Sequence, residues 1–398
     1  KCRDEAVPSR SGTTSDADAS TRGPTLLLSR MSESPLRIIV AAGGTGGDLF
    51  PAVAVVEELQ KLRETHVVLF GNPHRMEARV APQLGYVFEP LSVRGYAGIR
   101  SLRTYALPFT IIHSTMRVIR RIRSWKPHVV LCAGTYVSFP VAMAALLCNV
   151  PVVCIESNAL PGKANRLVAE RAALIVAAFE ECKAHLSAEA ASRVRVLGNP
   201  LRGTITRLPD RAAGAAVFGL DPTKPTVLVF GGSLGARSIN TVIESSIPVF
   251  ARAGFHVLWQ TGSAYTAPAE LPPHIRCVPF IDDMAAAYAA CDAVVCRSGG
   301  GTVAELATVA KPAILVPYPH AANNEQEHNA RALEVRGGAV MVRDAEVRER
   351  LMDELLRLMH DADLRERMSA ALRTMARPTA ARDAARLSME SVVRPATS

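Results

Sequence analysis

The chain of 398 residues is 48% hydrophobic and carries a net charge of +9. That is apolar material for two ordinary domains, and a charge that favours anionic partners such as phosphates, nucleic acid or an acidic membrane surface. Aromatic residues at 5% give little support to base stacking and argue against nucleic acid. No apolar run is as long as a membrane span, the best candidate at 141–154 being broken by Asn149 and Pro151.

The eight cysteines show no C-x-x-C spacing. Cys132, Cys154 and Cys296 fall in strand-like apolar runs and Cys148 in a helix-like one. They read as buried free thiols of a reducing compartment, not as a disulfide frame or a metal site. Residues 1–33 are polar, and Leu26-Leu27-Leu28 is too short for a signal-peptide core. This segment reads as a disordered extension, with Met31 a candidate natural start.

Order is expected from Leu36. A strand over 37–42 runs into Gly43-Gly44-Thr45-Gly46-Gly47-Asp48, a helix covers 49–62, and a second strand covers 66–70. This is a βαβ unit with a phosphate-compatible turn. It is not a dinucleotide fingerprint: Leu49 stands where the third glycine belongs, and no acid closes the second strand. Both failures argue against a nicotinamide-dependent oxidoreductase, and no cofactor is called for.

The stretch 94–126 carries Arg94, Arg100, Arg103, Arg117, Arg120, Arg121, Arg123 and Lys126 without an acid. Ile112, Met116, Ile119 and Ile122 are expected to face the core. Two readings stay open. One is a core helix with a solvated basic back. The other is a surface resting on an anionic bilayer, with Leu107, Phe109 and Trp125 dipping in and each basic residue contributing about 1 kcal/mol.

Strands over 128–132, 151–155, 173–177 and 194–197 continue a parallel alternation. Gly198-Asn199-Pro200-Leu201-Arg202 then breaks it, dividing an N-terminal domain at 34–198 from a C-terminal one at 199–398. The pattern restarts with a strand over 226–230, and the turn Gly231-Gly232-Ser233-Leu234-Gly235 mirrors the one at Gly43. Further strands are expected over 256–260 and 275–278. Two doubly wound α/β domains would face a central cleft. Beyond Val342 the chain reads as charged helix to about Val393, with the last helices packing back on the N-terminal domain.

The stretch 294–329 is the most informative. A buried strand at 293–296 ends in Gly299-Gly300-Gly301, and a helix is expected from about Thr302. Free N–H groups at a helix N-terminus bind anions, and phosphate is the natural guest. Glu305 is either the far end of a capping box with Thr302 or a carboxylate for ribose hydroxyls. A strand over 313–316 is followed by Asn323, Asn324 and Gln326, amides suited to sugar hydroxyls. Together these features suggest a nucleotide sugar.

Gly43-Gly44-Thr45-Gly46-Gly47, Gly198-Asn199-Pro200-Leu201-Arg202, Gly231-Gly232-Ser233, Phe280-Ile281-Asp282-Asp283-Met284 and Arg297-Ser298-Gly299 with Glu305 resemble the MurG family, in family order from about Arg37 to about Val393. The resemblance implies a GT-B fold of two Rossmann-like domains. It implies inverting transfer of N-acetylglucosamine from UDP-N-acetylglucosamine to lipid I, giving lipid II of peptidoglycan synthesis. It further implies that no metal is needed and that the protein is peripheral on the cytoplasmic face of the bacterial inner membrane. It also implies site roles. Ile281 packs by the uracil and bonds it through its backbone, and Glu305 takes the ribose. Ser233, Gly301 and Thr302 hold the diphosphate, with Arg202 neutralising it. Asn158 and Gln326 read the sugar, while Thr45, Gly46, Gly47, Gly134 and Tyr136 lie on the acceptor side.

Three positions depart from the family pattern: Asp48 replaces its His, Leu234 a common Gln, and Glu325 a His or Gln. Asp48 is either the base for the acceptor hydroxyl or a cap for the following helix. Competing readings are another GT-B enzyme, such as a glycolipid synthase or sugar-nucleotide epimerase, and a non-catalytic nucleotide-sugar-binding partner. Free sugar product without lipid marks the epimerase, and intact acceptor-side motifs argue against the binder.

Overall fold

Near-continuous runs of Val, Ile and Leu make strands covered on both faces, as parallel sheets require. In β1 (Leu36–Ala41) the alternate residues Ile39 and Ala41 enter one apolar cluster, and Leu36, Ile38 and Val40 enter another on the opposite face. The computed structural model describes residues 34–43, 46–93, 102–134, 136–232, 234–321 and 324–393. The expected extension at 1–33, together with Thr45, Arg100 and Ser233, lies outside the described residues, as does the side chain of Arg103.

The first sheet continues with β2 (Thr65–Gly71), β3 (Val87–Pro90), β4 (Val129–Ala133), β5 (Val152–Glu156), β6 (Leu174–Ala177) and β7 (Val194–Val196), in the spatial order β3-β2-β1-β4-β5-β6-β7. The second holds β8 (Thr226–Phe230), β9 (His256–Gln260), β10 (Ile275–Val278), β11 (Ala293–Cys296), β12 (Ala313–Leu315) and β13 (Ala339–Met341), in the order β10-β9-β8-β11-β12-β13. Every pairing is parallel. Both sheets reverse winding direction once, between β1 and β4 and between β8 and β11. Ligands of open parallel sheets bind at the carboxyl ends of the strands at such a point. The glycine turns leave β1, β8 and β11, so all three open at a switch point.

Two edge strands had no clear sequence signal. β3 is half exposed and ends in Pro90, which suits only an edge. β13 is three residues long, just after Gly337-Gly338. The strand cysteines Cys132, Cys154 and Cys296 are buried and free, and burial pushes the Cys154 thiol up to about 12. Their role is packing.

Helix Leu102–Trp125 corrects the expected orientation at Ile112 and Met116, while Ile119 and Ile122 do meet the core. Ser114, Thr115, Val118 and Ile122 are buried, whereas Ile112 is 60% and Met116 49% exposed, beside Phe109 at 76%. Ile112 and Ile122 lie ten residues apart, roughly 80° from a common stripe at 3.6 residues per turn. The inner stripe begins with two hydroxyl residues, one of which satisfies itself by donating from Thr115 Oγ1 to the Ile111 carbonyl at 2.8 Å. Small side chains there let the helix approach helix Ser138–Leu147. Trp125 is half-buried: one side packs on the core, with the Arg121 guanidinium 5.5 Å from its ring centroid. Arg117 and Arg121 also pair with Glu89 of β3 at 3.7 and 3.2 Å. Among the described residues no helix is long and apolar enough to cross a membrane.

Helix Ala380–Val393 follows the second sheet in sequence but packs on helix Gly46–Leu62 of the first domain, where Ala384 and Ala385 are fully buried. Small residues set that close contact. Ala385→Leu is expected to overpack it and cost about 1–3 kcal/mol, read as a lower urea midpoint at unchanged slope; an unchanged midpoint would place the helix off this core.

Candidate active site

The two glycine turns meet across the domain boundary. Helix Gly46–Leu62 starts directly after β1, and helix Gly300–Val309 starts after β11 with Gly299 at its N-cap. A methyl group on Gly301 would lie 3.4 Å from Gly47 Cα, and one on Gly300 would lie 2.1 Å from the Ser157 carbonyl oxygen. A side chain at position 300 would therefore force the domains apart. Two helix N-termini, each with first-turn N–H groups that have no acceptor within the helix and a positive dipole end, converge on one gap. Such a gap selects anions.

Glu305 is not the end of a capping box. The helix begins before Thr302, so Thr302 sits inside the first turn and Glu305 one turn further on. The Glu305 carboxylate accepts a hydrogen bond from the buried Tyr288 hydroxyl at 2.9 Å. Burial raises the Glu305 pKa, offset in part by that bond and by Arg202. Arg202, just after the domain linker, stacks its guanidinium 4.2 Å from the Phe50 ring centroid on helix Gly46–Leu62. It thereby spans both domains.

The Ile281 N–H is already used: it donates to Gln260 Oε1 at 2.8 Å, while Gln260 Nε2 donates to the Gly232 carbonyl. Backbone recognition at Ile281 is thus left to its carbonyl. Gln326 Oε1 accepts from the Tyr318 N–H at 3.0 Å, which leaves its Nε2 for a ligand. Asn158 is held on both sides, donating to Glu156 Oε1 at 3.3 Å and accepting from Asn329 Nδ2 at 3.0 Å.

Asp48 is the third residue of its helix, inside the first turn and not at the cap. Gly134 has φ +30°, and Tyr136 beyond it is half exposed. Leu234 is exposed, and Glu325 opens helix Glu325–Glu334. Burial, then Glu156, raises the Glu325 pKa. Glu156 itself is buried and accepts from the Asn158 and Gly162 N–H groups and the Asn165 side chain, each at 2.9 Å.

The reading of the sequence missed Asn165, Tyr288 and Phe50. It quoted Glu156, Gln260, Arg297 and Asn329 without a role. Arg297 bonds Asp344 at 2.6 Å and the carbonyls of Val316 and Pro317, so it joins the exits of β11 and β12. An arginine directly after a buried strand was the available signal; its partners were not legible. Among the described residues no group of three or more His, Cys, Asp or Glu is arranged to hold a metal.

Residues 38–176 match the glycosyltransferase family 28 N-terminal domain, and residues 226–384 match its C-terminal domain. Two doubly wound domains with anion-selective helix ends between them define a GT-B glycosyltransferase. A protein of Chlorobium phaeobacteroides named UDP-N-acetylglucosamine–N-acetylmuramyl-(pentapeptide) pyrophosphoryl-undecaprenol N-acetylglucosamine transferase is 40% identical over 319 residues, covering 78% of this chain and 86% of that one. A Salinibacter ruber protein of the same name is 38% identical over 335 residues, covering 83% and 90%. The crystal structure of Acinetobacter baumannii MurG superposes with TM-score 0.68 at 27% identity, over 90% of this chain and 100% of that one. The chain belongs to the MurG family. A UDP-N-acetylglucosamine 2-epimerase structure, at 16% identity and TM-score 0.58, shares the fold.

The Tyr288 hydroxyl favours ionised Glu305. Tyr288→Phe is expected to raise the Glu305 midpoint further above the ordinary carboxylate range, so that the carboxylate is lost at a higher pH as the solution is acidified. A ¹³C-carboxyl NMR titration reads this, and a midpoint that stays or falls would remove Tyr288 from the site's electrostatics.

Proposed function

We propose that the protein transfers N-acetylglucosamine from UDP-N-acetylglucosamine to the 4-hydroxyl of undecaprenyl-pyrophosphoryl-N-acetylmuramoyl-pentapeptide, converting lipid I to lipid II with inversion at the anomeric carbon. The convergence of two helix N-termini at Gly47 and Gly301 carries this reading, because both substrates bring a pyrophosphate to the same gap. Membership of the MurG family supports it.

The C-terminal domain takes the donor. Uracil rests by Ile281 and bonds its carbonyl, and Glu305 accepts from the ribose. Ser233, Gly301 and Thr302 hold the diphosphate, with the Arg202 charge beside it. Removing one such fixed donor from a leaving group costs about 10²–10³ in rate. Asn158 and the Gln326 amide nitrogen orient the sugar. On the acceptor side Thr45, Gly46, Gly47, Gly134 and Tyr136 surround the lipid pyrophosphate, and Asp48 accepts the proton of the attacking hydroxyl.

The acceptor is a lipid, so the protein works at a membrane surface, the inner face of the cell membrane. Exposed Phe109, Ile112 and Met116 supply an apolar stripe, whereas the half-buried Leu107 lies on the other side of the helix. Arg120 and Arg123, with Arg100 and Arg103 near the other end, supply charge for anionic headgroups.

Purified protein with radiolabelled UDP-N-acetylglucosamine, a short-chain lipid I analogue and EDTA is expected to yield labelled disaccharide-lipid. Free sugar without lipid product would favour an epimerase instead. Asp48→Asn should lower kcat by about 10²–10⁴ with donor and acceptor binding unchanged; near-normal turnover would remove Asp48 as the base. Replacing Phe109, Ile112 and Met116 together by Ser should weaken binding to anionic vesicles at least about tenfold, given the apolar area lost, and leave turnover of a soluble acceptor intact. Unchanged vesicle binding would move the membrane surface elsewhere.

A further inference from the structure

Asn329 is fully buried at the junction of the two domains. Its Oδ1 accepts from the Ala159 N–H at 3.1 Å, and its Nδ2 donates to the Ser298 carbonyl at 3.1 Å and to Asn158 Oδ1 at 3.0 Å. Ala159 and Asn158 follow β5 in the first domain, whereas Ser298 follows β11 in the second. A backbone N–H can only donate and a carbonyl can only accept, so the Asn329 amide has one orientation. That orientation propagates. Asn158 must turn its oxygen to Asn329 and its nitrogen to Glu156, which leaves one Asn158 N–H for a ligand. Ser298 is held twice, since its hydroxyl also donates to the Gln326 carbonyl at 2.8 Å. One side chain thus fixes Asn158 on one wall and the start of helix Gly300–Val309 on the other.

We propose that Asn329 is a positioning residue that couples domain closure to the orientation of Asn158, so that the sugar-facing amide is aligned only when the two domains are shut. The inference rests on the transferase reading. Opening the domains breaks the bonds to Ala159 and Asn158 and frees the Asn158 amide to rotate. Asn329 touches no substrate; it acts through Asn158.

Two measurements test this. In the unmodified protein, UDP-N-acetylglucosamine should slow hydrogen exchange at the Ala159 amide, whose partner lies on the opposite domain. Equal exchange with and without donor would overturn the proposal. Asn329→Asp keeps the acceptor for Ala159 but sets a carboxylate oxygen against Ser298 O and Asn158 Oδ1. Its kcat should fall about 100-fold, the cost of misplacing a substrate-positioning group by about 1 Å, while the Kd for UDP, held by the second domain, stays within about twofold. Combined with Asn158→Ala, it should add little to the single change, as coupled residues do. Normal kcat in the variant, or fully additive losses, would also overturn the coupling. A protein that protects Ala159 on donor binding yet makes no lipid product supports the coupling and refutes the reaction.

Discussion

Two like dipole ends facing each other are an unfavourable arrangement unless something negative lies between them. Here the first turns of helices Gly46–Leu62 and Gly300–Val309 approach so closely that a methyl group on Gly301 would already touch Gly47, and one on Gly300 would clash with the Ser157 carbonyl. The rest of the structure serves that approach. Parallel strands deliver both helices from switch points, glycine removes the side chains that would block contact, and Arg202 bridges to Phe50 on the other domain. An anion in the gap turns a repulsive geometry into a stable one.

Beside the gap runs a seam of buried polar side chains. Interiors tolerate such groups only when their hydrogen bonds are made. Glu156 accepts from backbone and amide donors, Ser157 Oγ donates to Asn199 Oδ1 at 2.8 Å, and Asn329 completes Asn158. Partners of this kind come from both domains, so most of the seam's hydrogen bonds are made only when the domains meet. Among the described residues Asn199 Nδ2 is buried without a partner, on the linker between the two domains. A catalytic cleft that must admit a substrate on each wall gains from an interface made of directional bonds, because those bonds specify one closed geometry.

We propose a second task for the first domain, at a membrane surface. Its long helix turns Ser114, Thr115, Val118 and Ile122 inward and leaves Phe109, Ile112 and Met116 outside, near Arg120 and Arg123, which make no ion pair among the described residues. Stability alone would favour the reverse. An exposed apolar stripe rimmed by cations suits a protein whose acceptor is dissolved in a lipid surface. The last helix meanwhile ties the chain's end back to this domain and covers its glycine-turn helix.

Much of this was legible in the residues. Runs of branched apolar residues marked the strands of both sheets, apart from β3 and β13, because parallel strands buried on both faces need them. The glycine turns after β1, β8 and β11 marked the phosphate-facing ends, because few other sequences let a strand pass straight into a helix N-terminus. Their order along the chain carried the family resemblance. The sequence could not say which stripe of helix Leu102–Trp125 faces inward, since periodicity counts apolar residues and the inner stripe uses Ser114 and Thr115. Nor could it show that Gly299 caps its helix, that Gln260 already occupies the Ile281 N–H, or that one side of Trp125 packs on the core. Asn329 gave no local signal, for its partners lie about 30 and 170 residues away. Local sequence determined the strands, the turns and the chemistry each loop offers, because those depend on neighbours along the chain. Tertiary structure decided which polar groups are consumed by the fold and which are left for a ligand, because hydrogen bonds between distant segments form only once the sheets have brought them together.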